Sequence, residues 1–452
     1  MVSTPEDAPR AAHEAAVAEL RQSYLYAEAA RPPGETIRLA KPTSNLFRFG
    51  ERHGVGLDVS AFTKVLNVDP AAGIADVQGM TTYETLVDAT LAHGLMPTVV
   101  PQLKTITLGG AVTGLGIEST SLRNGLPHEA VQEMEILTGS GAVITANAKD
   151  HSDLFHGFPN SYGTLGYALR LQISLEEVKP YVRLRHHRFG SAEECATAIS
   201  HYAEHPPDFI DGTLFSPNEM YLTVGDFVDK AGDIVSDYTG QNIYYKSIQE
   251  RSLDFLTIRD YLWRWDTDWF WCSRAFGVQN PLVRTLWPNR LLRSDVYHRL
   301  VRLDRRWQLS HRLDKLRGRP EVEPVIQDVE IPIAKLPYFL AEFQREVGIT
   351  PLWLCPVRAQ QNWPLYPLKA GELYVNVGFW SAVPRKDDPD HHNLFVEELV
   401  ADCGGHKSLY STVHYGADEF WSRYHGDQYW PLKHRYDPDG VLPDLYSKCV
   451  AK

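Results

Sequence analysis

The densest glycine run in the chain reads TLGGAVTGLGIES and occupies residues 107–119. Glycines let a backbone approach phosphate oxygens closely, and the N–H groups and hydroxyls of such a run satisfy those oxygens. The run lacks the Gly-Lys-Ser/Thr of a P-loop. It also departs from the Rossmann fingerprint, because Ser119 stands where the third glycine belongs. The alternative interpretation is a structural glycine turn that packs between strands.

Two other loops share this glycine- and hydroxyl-rich character, one on each side of the run. Residues 41–45 read KPTSN, and residues 160–166 read NSYGTLG. Three such loops, well separated along the chain, favour a site that surrounds one phosphate-bearing ligand over an isolated structural turn.

Short β-rich runs and helices surround these loops. Residues 81–84 (TTYE) predict a capping box that opens a helix. Residues 74–78 and 165–176 predict strands, and residues 131–146 predict a hairpin with a glycine turn. An N-terminal helix is expected to end at residues 31–34, which read RPPG.

Length and composition limit the classes of protein. The chain has 452 residues and a net charge of −12. It is longer than the roughly 250–300 residues at which one core stops growing, so two domains are expected. The acidic balance argues against a protein whose whole surface binds nucleic acid. Five scattered cysteines support neither a disulfide framework nor a zinc site. Without a signal peptide or a long apolar run, a cytoplasmic protein is expected, with membrane association left open.

The run PQLKTITLGG at residues 101–110, with Gly114-Leu115-Gly116 soon after, resembles the FAD-binding domain of the vanillyl-alcohol-oxidase (PCMH-type) superfamily. RNGLPH at residues 123–128 and LKHRYDPDGVL at residues 432–442 resemble the same superfamily. The resemblance implies an α+β fold. It places an N-terminal helical segment at 1–35, a two-subdomain PCMH-type FAD-binding domain at 36–180, and an α/β cap (substrate) domain at 181–452. The C-terminal segment of the cap is expected to return toward the flavin.

A narrower resemblance is to the sterol Δ24-reductase branch, carried by RWDTDWFW at residues 264–271 and NPLVRTLWP at residues 280–288. Residues 39–48 and 99–126 are similar to actinobacterial 10-methylene fatty-acid reductases of 10-methylstearic (tuberculostearic) acid synthesis. That likeness implies FAD and NADPH, a fatty-acyl (phospholipid) substrate whose 10-methylene group becomes 10-methyl, and a methyltransferase as pathway partner.

The superfamily resemblance also implies the FAD-binding residues. The first loop and the long glycine loop are expected to wrap the pyrophosphate, and the third loop to lie beside the ribityl chain and flavin. The expected cofactor contacts are Pro42, Thr43, Ser44, Asn45, Gln102, Leu103, Thr105, Thr107, Leu108, Gly109, Gly110, Thr113, Gly114, Gly116, Ile117, Glu118, Ser119, His128, Ser161, Gly163, Thr164 and Gly166. Covalent members often carry a flavin-linked histidine in the first loop. This chain has none there, so non-covalent FAD is predicted.

An isolated alkene has no carbonyl to polarise it, so the reduction requires a proton first. A general acid protonates the methylene carbon, a tertiary cation develops at C10, and reduced flavin N5 delivers a hydride. The site should be dry, so that water does not trap the cation. The candidate proton donors are Glu118, Tyr162, His414 and Tyr415. Glu118 has an alternative role as a hydrogen-bond partner of backbone amides or ribose, and His128 has one as a structural histidine.

A tryptophan-rich and arginine-rich stretch admits two interpretations. Residues 255–290 hold five of the 11 tryptophans, and residues 281–320 hold 11 basic residues and three acids. Either the tryptophans pack in the cap core and the arginines face water, or both contact a membrane with anionic headgroups. No nucleic-acid-reading motif accompanies the charge. His391 and His392 lie near two aspartates, but a polar loop explains them better than a metal site.

Two other functions remain open from the sequence. One is a flavin-dependent alcohol or sugar oxidase or dehydrogenase, or a Δ24-sterol reductase-like enzyme, on the same fold. The other is a non-catalytic lipid-binding or scaffold protein with a degenerate flavin domain, against which the intact glycine loops argue.

Overall fold

The computed structural model describes residues 7–41, 54–307, 318, 320–388 and 390–450. Helices and antiparallel strands are both abundant in it, which confirms the predicted α+β class. The helices are α1 (Asp7–Ala30), α2 (Tyr83–Leu91), α3 (Leu108–Thr113), α4 (Ser121–Asn124), α5 (Ser152–Gly157), α6 (Ala192–Tyr202), α7 (Tyr244–Glu250), α8 (Ile258–Trp263), α9 (Pro281–Leu286), α10 (Ser294–Trp307), α11 (Leu336–Glu346), α12 (His391–Asp402), α13 (Ala417–Arg423), α14 (Gly426–Tyr436) and α15 (Leu445–Cys449).

Strands of the first half build a small parallel pair and an antiparallel sheet. They are β1 (Ile37–Ala40), β2 (Val55–Asp58), β3 (Val65–Asp69), β4 (Ile74–Gln78), β5 (Leu95–Pro97), β6 (Val131–Thr138), β7 (Val143–Asn147) and β8 (Gly166–Glu177). Strand β1 pairs with β2, and the larger sheet has the order β3-β4-β8-β6-β7, with β5 also on β8. The predicted strand at 74–78 and the predicted hairpin are confirmed.

The predicted capping box at the start of α2 is wrong. Thr82 rather than Thr81 caps the helix, and its hydroxyl accepts the N–H of Thr85 at 3.3 Å. The carboxylate of Glu84 instead accepts two hydrogen bonds from Arg293, at 2.9 and 2.8 Å. Such a two-point pair with a guanidinium is stronger than the single backbone bond that a capping box offers. Glu84 therefore ties α2 to the second half of the chain.

Strands of the second half form one antiparallel sheet of eight. They are β9 (Tyr181–Phe189), β10 (Phe209–Ser216), β11 (Glu219–Val228), β12 (Leu253–Thr257), β13 (Val322–Pro332), β14 (Leu352–Val357), β15 (Tyr374–Pro384) and β16 (His406–Lys407). The spatial order is β12-β9-β11-β10-β14-β15-β13-β16. The chain passes from the first-half sheet to the eight-stranded sheet between β8 and β9. The predicted domain boundaries stay a prediction.

The two faces of the eight-stranded sheet differ in chemistry. Side chains alternate along a strand, so each strand contributes to both faces. One face packs aliphatic residues such as Val329 and Val377 against α6, α11 and α12. The other face carries Asp211, Asp328 and Glu330 and is directed toward the first half of the chain. We call this second side the acidic face.

The tryptophan-rich stretch is mainly part of the core. Trp263, Trp265, Trp269 and Trp271 are all buried, and Trp265 stacks on Phe270 with ring centroids 4.9 Å apart. For these four rings the membrane interpretation is wrong, because rings packed against each other inside the protein cannot reach a bilayer. No helix in the described part of the chain has the length and apolar character needed to cross a membrane.

Candidate active site

The glycine run owes its local structure to close backbone contacts. Thr107 caps the short helix α3, with its hydroxyl accepting the N–H of Gly110 at 3.2 Å. The N–H of Gly109 donates to the carbonyl of Gly79 at 2.9 Å. A Cβ on Gly109 would lie 2.7 Å from that carbonyl oxygen, which is closer than side chains tolerate. The close packing of the glycine run against the backbone at Gly79, just after the end of β4, therefore requires glycine at position 109.

The third loop lies directly against the glycine run. The N–H of Tyr162 donates to the carbonyl of Thr113 at 2.7 Å, and a Cβ on Gly114 would lie 3.3 Å from the Tyr162 ring. Tyr162 has a left-handed backbone, with φ of 51°, which an ordinary residue adopts only under local constraint. The ammonium of Lys448 supplies part of that constraint by donating to the Tyr162 carbonyl. Two loops predicted to share one cofactor are therefore neighbours.

Hydrogen bonds within the third loop set its shape. The Ser161 hydroxyl donates to the Phe158 carbonyl at 2.6 Å, and the Thr164 hydroxyl donates to the Ser161 carbonyl at 2.7 Å. The C-terminal helix α14 supports the loop, since Tyr429 donates to the Thr164 hydroxyl and the buried Lys433 donates to the Thr164 carbonyl. The C-terminal segment thus returns to the third loop.

The remaining predicted cofactor residues fall into two groups. Pro42, Thr43, Ser44 and Asn45 lie outside the described residues, so the first loop stays a prediction from sequence. The second group lies in the described part of the chain. Leu103 and Thr105 are half-buried between β5 and α3, whereas Leu108 and Ile117 are buried. Gly116 lies against Pro101 and Pro127, and Gly163 and Gly166 belong to the third loop. Ser119 is buried, with its hydroxyl 2.9 Å from that of Tyr261.

Glu118 is buried and hydrogen-bonded inside its own loop. Its carboxylate accepts from Gln102 Nε2 at 2.6 Å and from the Ser119 N–H at 3.2 Å. These bonds are of the kind expected if Glu118 binds backbone amides rather than substrate. Beyond it, Arg264 pairs with Asp211 at 2.9 Å, and a cavity of about 10 Å³ between Glu118 and Arg264 has room for about one water molecule. Burial raises the pKa of Glu118 to about 8, although the charge of Arg264 opposes the shift.

This raised pKa predicts a pH dependence of stability. The carboxyl holds its proton more tightly in the folded chain than in the unfolded chain, where the pKa is near 4.5. Its contribution is fully present below pH 4.5 and is lost as the pH rises toward 8. The wild-type free energy of unfolding should therefore fall more steeply than that of E118Q between about pH 5 and pH 8. Urea titrations at several pH values measure this, and parallel curves for the two proteins would contradict it.

His128 lies in a closed aromatic setting. Its ring makes an edge contact with Trp363 at 4.5 Å and lies 5.5 Å from the Tyr366 ring. Burial lowers the pKa of His128 to about 3, so the imidazole is neutral at physiological pH. Its Nε2 is buried and lacks a hydrogen-bond partner among the described residues, as does the hydroxyl of Tyr366. His128 can therefore hydrogen-bond a ligand but does not carry charge.

The strongest acid candidates come from β13, and the sequence analysis did not propose them. Asp328 and Glu330 are two residues apart and so share the acidic face. The Ser408 hydroxyl donates to Glu330 at 2.9 Å, and the N–H of the next residue, Leu409, donates to the Tyr162 hydroxyl at 3.0 Å. One short segment thus joins Glu330 of the cap sheet to Tyr162 of the third loop. The available signal was the pair of acids at alternate positions within the run IQDVEI, residues 326–331.

Burial raises the pKa of both acids. Burial raises the pKa of Glu330 well above its usual range, although the Ser408 hydroxyl opposes the shift. The second carboxylate oxygen of Glu330, Oε2, is buried and has no hydrogen-bond partner among the described residues. Asp328 is half-buried, and loss of water around its carboxyl raises the pKa to about 6 despite the hydrogen bond from Asn376 at 2.9 Å. Burial therefore favours the protonated carboxyl of Glu330, and its Oε2 is unpartnered within the described part of the chain.

His414 and Tyr415 have partners in α12 and α13. The backbone N–H of His414 donates to Glu397 at 3.1 Å, and the His414 ring lies 3.8 Å from Asp390. The Tyr415 ring lies 5.0 Å from the guanidinium of Arg423. These contacts associate both residues with α12 and α13, whereas Glu118 and Tyr162 belong to the adjoining loops of the first half.

The histidine pair lies at the start of a helix. His391 and His392 are the first residues of α12 rather than a loop, and they bind Glu346 and Glu323. The loop interpretation is wrong because these carboxylates fix the start of the helix. In the described ranges, no group of three histidines, cysteines or acids is arranged to hold a metal ion.

The residues present fit a flavin dinucleotide. The glycine run offers exposed backbone at Gly110 beside the half-buried hydroxyls of Thr107 and Thr113. A Cβ on Gly114 would crowd both Gly110 and Tyr162, so the surface between the two loops must stay free of side chains. Unpartnered buried atoms at Gln102 Oε1 and His128 Nε2 supply further acceptor or donor positions. These features match a ligand with phosphates, hydroxyls and ring nitrogens.

Comparison with known proteins agrees with this chemistry. Residues 18–147 match the model of the family described as "FAD binding domain". The chain is 26% identical to the human Delta(24)-sterol reductase over 407 residues, covering 85% of this chain and 75% of the relative. It is 24% identical to the Arabidopsis thaliana Delta(24)-sterol reductase over 433 residues, covering 87% and 76%. Cytokinin dehydrogenase 9 of Oryza sativa subsp. japonica is 31% identical over 122 residues, or 27% of this chain and 23% of the relative.

Proposed function

Because this chain is an FAD-dependent oxidoreductase of the Δ24-sterol-reductase-like branch, we propose that it reduces a carbon–carbon double bond of a lipid with NADPH as electron donor. We propose further that the substrate is a 10-methylene stearoyl chain, which becomes 10-methyl. The residues at 39–48 and 99–126 support that choice through their similarity to the 10-methylene fatty-acid reductases.

The buried carboxyl of Glu330, whose Oε2 has no hydrogen-bond partner among the described residues, is the observation that carries the proposal. Reduction of an unpolarised alkene needs a proton donor that still carries its proton at physiological pH and is held out of water. Glu330 is fully buried, favours its protonated form and has an unpartnered Oε2. An oxidase of alcohols requires a base at the corresponding place, and a carboxyl with a raised pKa is a poor base.

Glu330 donates its proton to the terminal methylene carbon, so that positive charge develops on the tertiary carbon C10. The Ser408 hydroxyl holds the other carboxylate oxygen and stabilises the anion that remains. In the proposed cycle Asp328, two residues away on the same face of β13, returns a proton to Glu330 after each turnover. FAD, when bound and reduced, supplies the hydride that completes the reduction.

Aromatic side chains exclude water near the acids. Phe270 packs against Trp380 with ring centroids 4.4 Å apart, and the Trp380 indole N–H donates to the Tyr410 hydroxyl at 3.0 Å. Tyr410 in turn contacts the carboxyl of Asp328. A carbocation is short-lived in water, so this apolar wall serves the proposed chemistry.

A sterol with a Δ24 double bond is the second candidate substrate. It is favoured by the names of the relatives that align over most of this chain. The same donor and the same cofactor chemistry apply, because both substrates are isolated alkenes.

The two substrates are distinguished in one anaerobic cuvette. NADPH is expected to bleach the flavin absorbance of the purified protein, and a 10-methylene stearoyl phospholipid to restore it with formation of the 10-methyl product. If a Δ24 sterol restores the flavin absorbance and the 10-methylene phospholipid does not, the substrate is the second candidate, the sterol. Reduction of the flavin by an alcohol or sugar, with oxygen consumption and without NADPH, would contradict the reductase function.

A further inference from the structure

Three leucines and an arginine project from the segment that follows the tryptophan-rich core. Leu282 and Leu286, on α9, are 79% and 85% exposed, and Leu291 is 37% exposed. Arg290 lies beside them in sequence and is also exposed. We call these four residues the leucine–arginine surface. Side chains this apolar seldom protrude together from a protein unless they meet a partner.

The segment that carries this surface is rich in arginine. Residues 269–294 contain four arginines and no acid, within a chain of net charge −12. Arg284 and Arg293 are paired with Asp268 and Glu84, whereas Arg274 and Arg290 are exposed. The segment therefore complements a negatively charged surface.

Buried hydrogen bonds of Arg284 hold α9 in place, with its leucines facing outward. Arg284 lies between Leu282 and Leu286 in sequence but points inward, where it makes two hydrogen bonds with Asp268 at 2.7 and 3.0 Å. It also donates to the carbonyls of Gly240 and Gln241 at 2.7 and 2.6 Å. A buried guanidinium with this many partners fixes its helix firmly. The leucines are thus presented by an anchored helix rather than by a frayed end.

Asp268, which anchors α9 through Arg284, is also followed in sequence by residues that contact the acidic face. Asp268 precedes Trp269 and Phe270, which have left-handed backbones with φ of 46° and 59°. Two consecutive bulky residues in this region store strain that usually has a functional reason. Here the strained backbone places the Phe270 ring against the Trp380 ring. The Trp380 indole N–H donates to the Tyr410 hydroxyl, and Tyr410 contacts Asp328. One continuous set of contacts joins the surface leucines to the proposed proton donors.

We propose that the leucine–arginine surface docks on an anionic lipid bilayer. The leucines enter the boundary between headgroups and acyl chains, and the exposed arginines bind the headgroup phosphates. A protein partner is less well matched, because interface hot spots are enriched in tryptophan, tyrosine and arginine but poor in leucine, which makes up three of these four residues. The inference deepens the proposed function and rests on it for the idea that an acyl chain passes from the bilayer to the acidic face; the docking itself requires no substrate.

Sedimentation with vesicles tests the docking. Full-length protein is mixed with vesicles of phosphatidylglycerol and phosphatidylcholine, or of phosphatidylcholine alone, and the bound fraction is measured. The test variant is L282S/L286S. The control, Y26S/Y338S, removes two exposed aromatic residues (77% and 52%) from α1 and α11, away from the surface. Wild type and control are expected to bind anionic vesicles. The test variant is expected to bind these vesicles more weakly, by a factor of about ten or greater.

A charge variant tests the second half of the proposal. Arg290→Ala is expected to weaken binding to anionic vesicles about fivefold and to leave binding to phosphatidylcholine alone unchanged. Three results would overturn the docking: no binding of wild type to anionic vesicles at low salt, equal binding by L282S/L286S, or a change in oligomeric state in place of a change in vesicle binding.

Activity in detergent separates the docking from the proposed function. L282S/L286S should reduce detergent-dispersed substrate at the wild-type rate while losing activity on substrate held in vesicles. Vesicle binding by a wild-type protein that reduces no lipid alkene would leave the docking in place and remove the proposed function.

Discussion

Replacing Glu330 by glutamine is expected to slow reoxidation of the reduced enzyme by its alkene about 10²- to 10⁴-fold, the usual loss when a general acid is removed. Glutamine has nearly the same shape and still accepts the Ser408 hydroxyl, but its amide cannot protonate carbon. Stopped-flow absorbance after anaerobic reduction with NADPH measures this step directly. Reduction of the flavin by NADPH should be unchanged, because it needs no proton from Glu330.

Glu323→Gln is the matched control. Glu323 is also buried and lies on the same strand, but its carboxylate accepts from His392 and Asn393 at the start of α12. This substitution should lower stability and leave the rate of reoxidation close to wild type. A normal reoxidation rate in Glu330→Gln, or an equal loss in both variants, would show that Glu330 is not the donor.

Replacing Gly109 by alanine is expected to weaken FAD binding about tenfold or more, because forcing a methyl group into a closed backbone contact costs about 1–3 kcal/mol. The added Cβ would lie 2.7 Å from the Gly79 carbonyl oxygen, so α3 and the glycine run must move. The ratio of flavin to protein after gel filtration, together with an FAD titration of the apoprotein, measures the loss.

Gly416→Ala is the control for this variant. Gly416 has an ordinary φ of −63°, and no atom lies within 4 Å of the position its Cβ would take. Alanine there should leave both FAD content and stability unchanged or slightly improved. Full FAD content in Gly109→Ala, at a normal unfolding temperature, would contradict the assignment of the glycine run to the cofactor.

The local patterns of the chain were strong enough to predict much of the first half. The hairpin from β6 to β7 follows from alternating residues and a glycine turn, and the paired glycine loops follow from composition. The capping box failed because Arg293, 209 residues away in sequence, takes Glu84. Such a long-range ion pair leaves no trace in the local pattern that a capping rule uses.

The acids of the cap were missed for a related reason. Asp328 and Glu330 gain their properties from burial and from contacts with a segment near residue 408, which only the assembled sheet brings together. For the tryptophans, the sequence left a core position and a membrane position open. Their spacing was compatible with a membrane surface, but they pack in the core, and the leucines that follow them are the exposed apolar residues.

The origin of the hydrogen in the product tests the central claim most directly. The enzyme is allowed to reduce a 10-methylene stearoyl phospholipid with NADPH in D₂O, and the new methyl group is analysed by mass spectrometry and NMR. Because a protonated carboxyl exchanges with solvent, proton donation to the terminal carbon predicts one deuterium in that methyl group, as CH₂D. A product whose methyl group is CH₃ would contradict proton-first reduction by a buried acid.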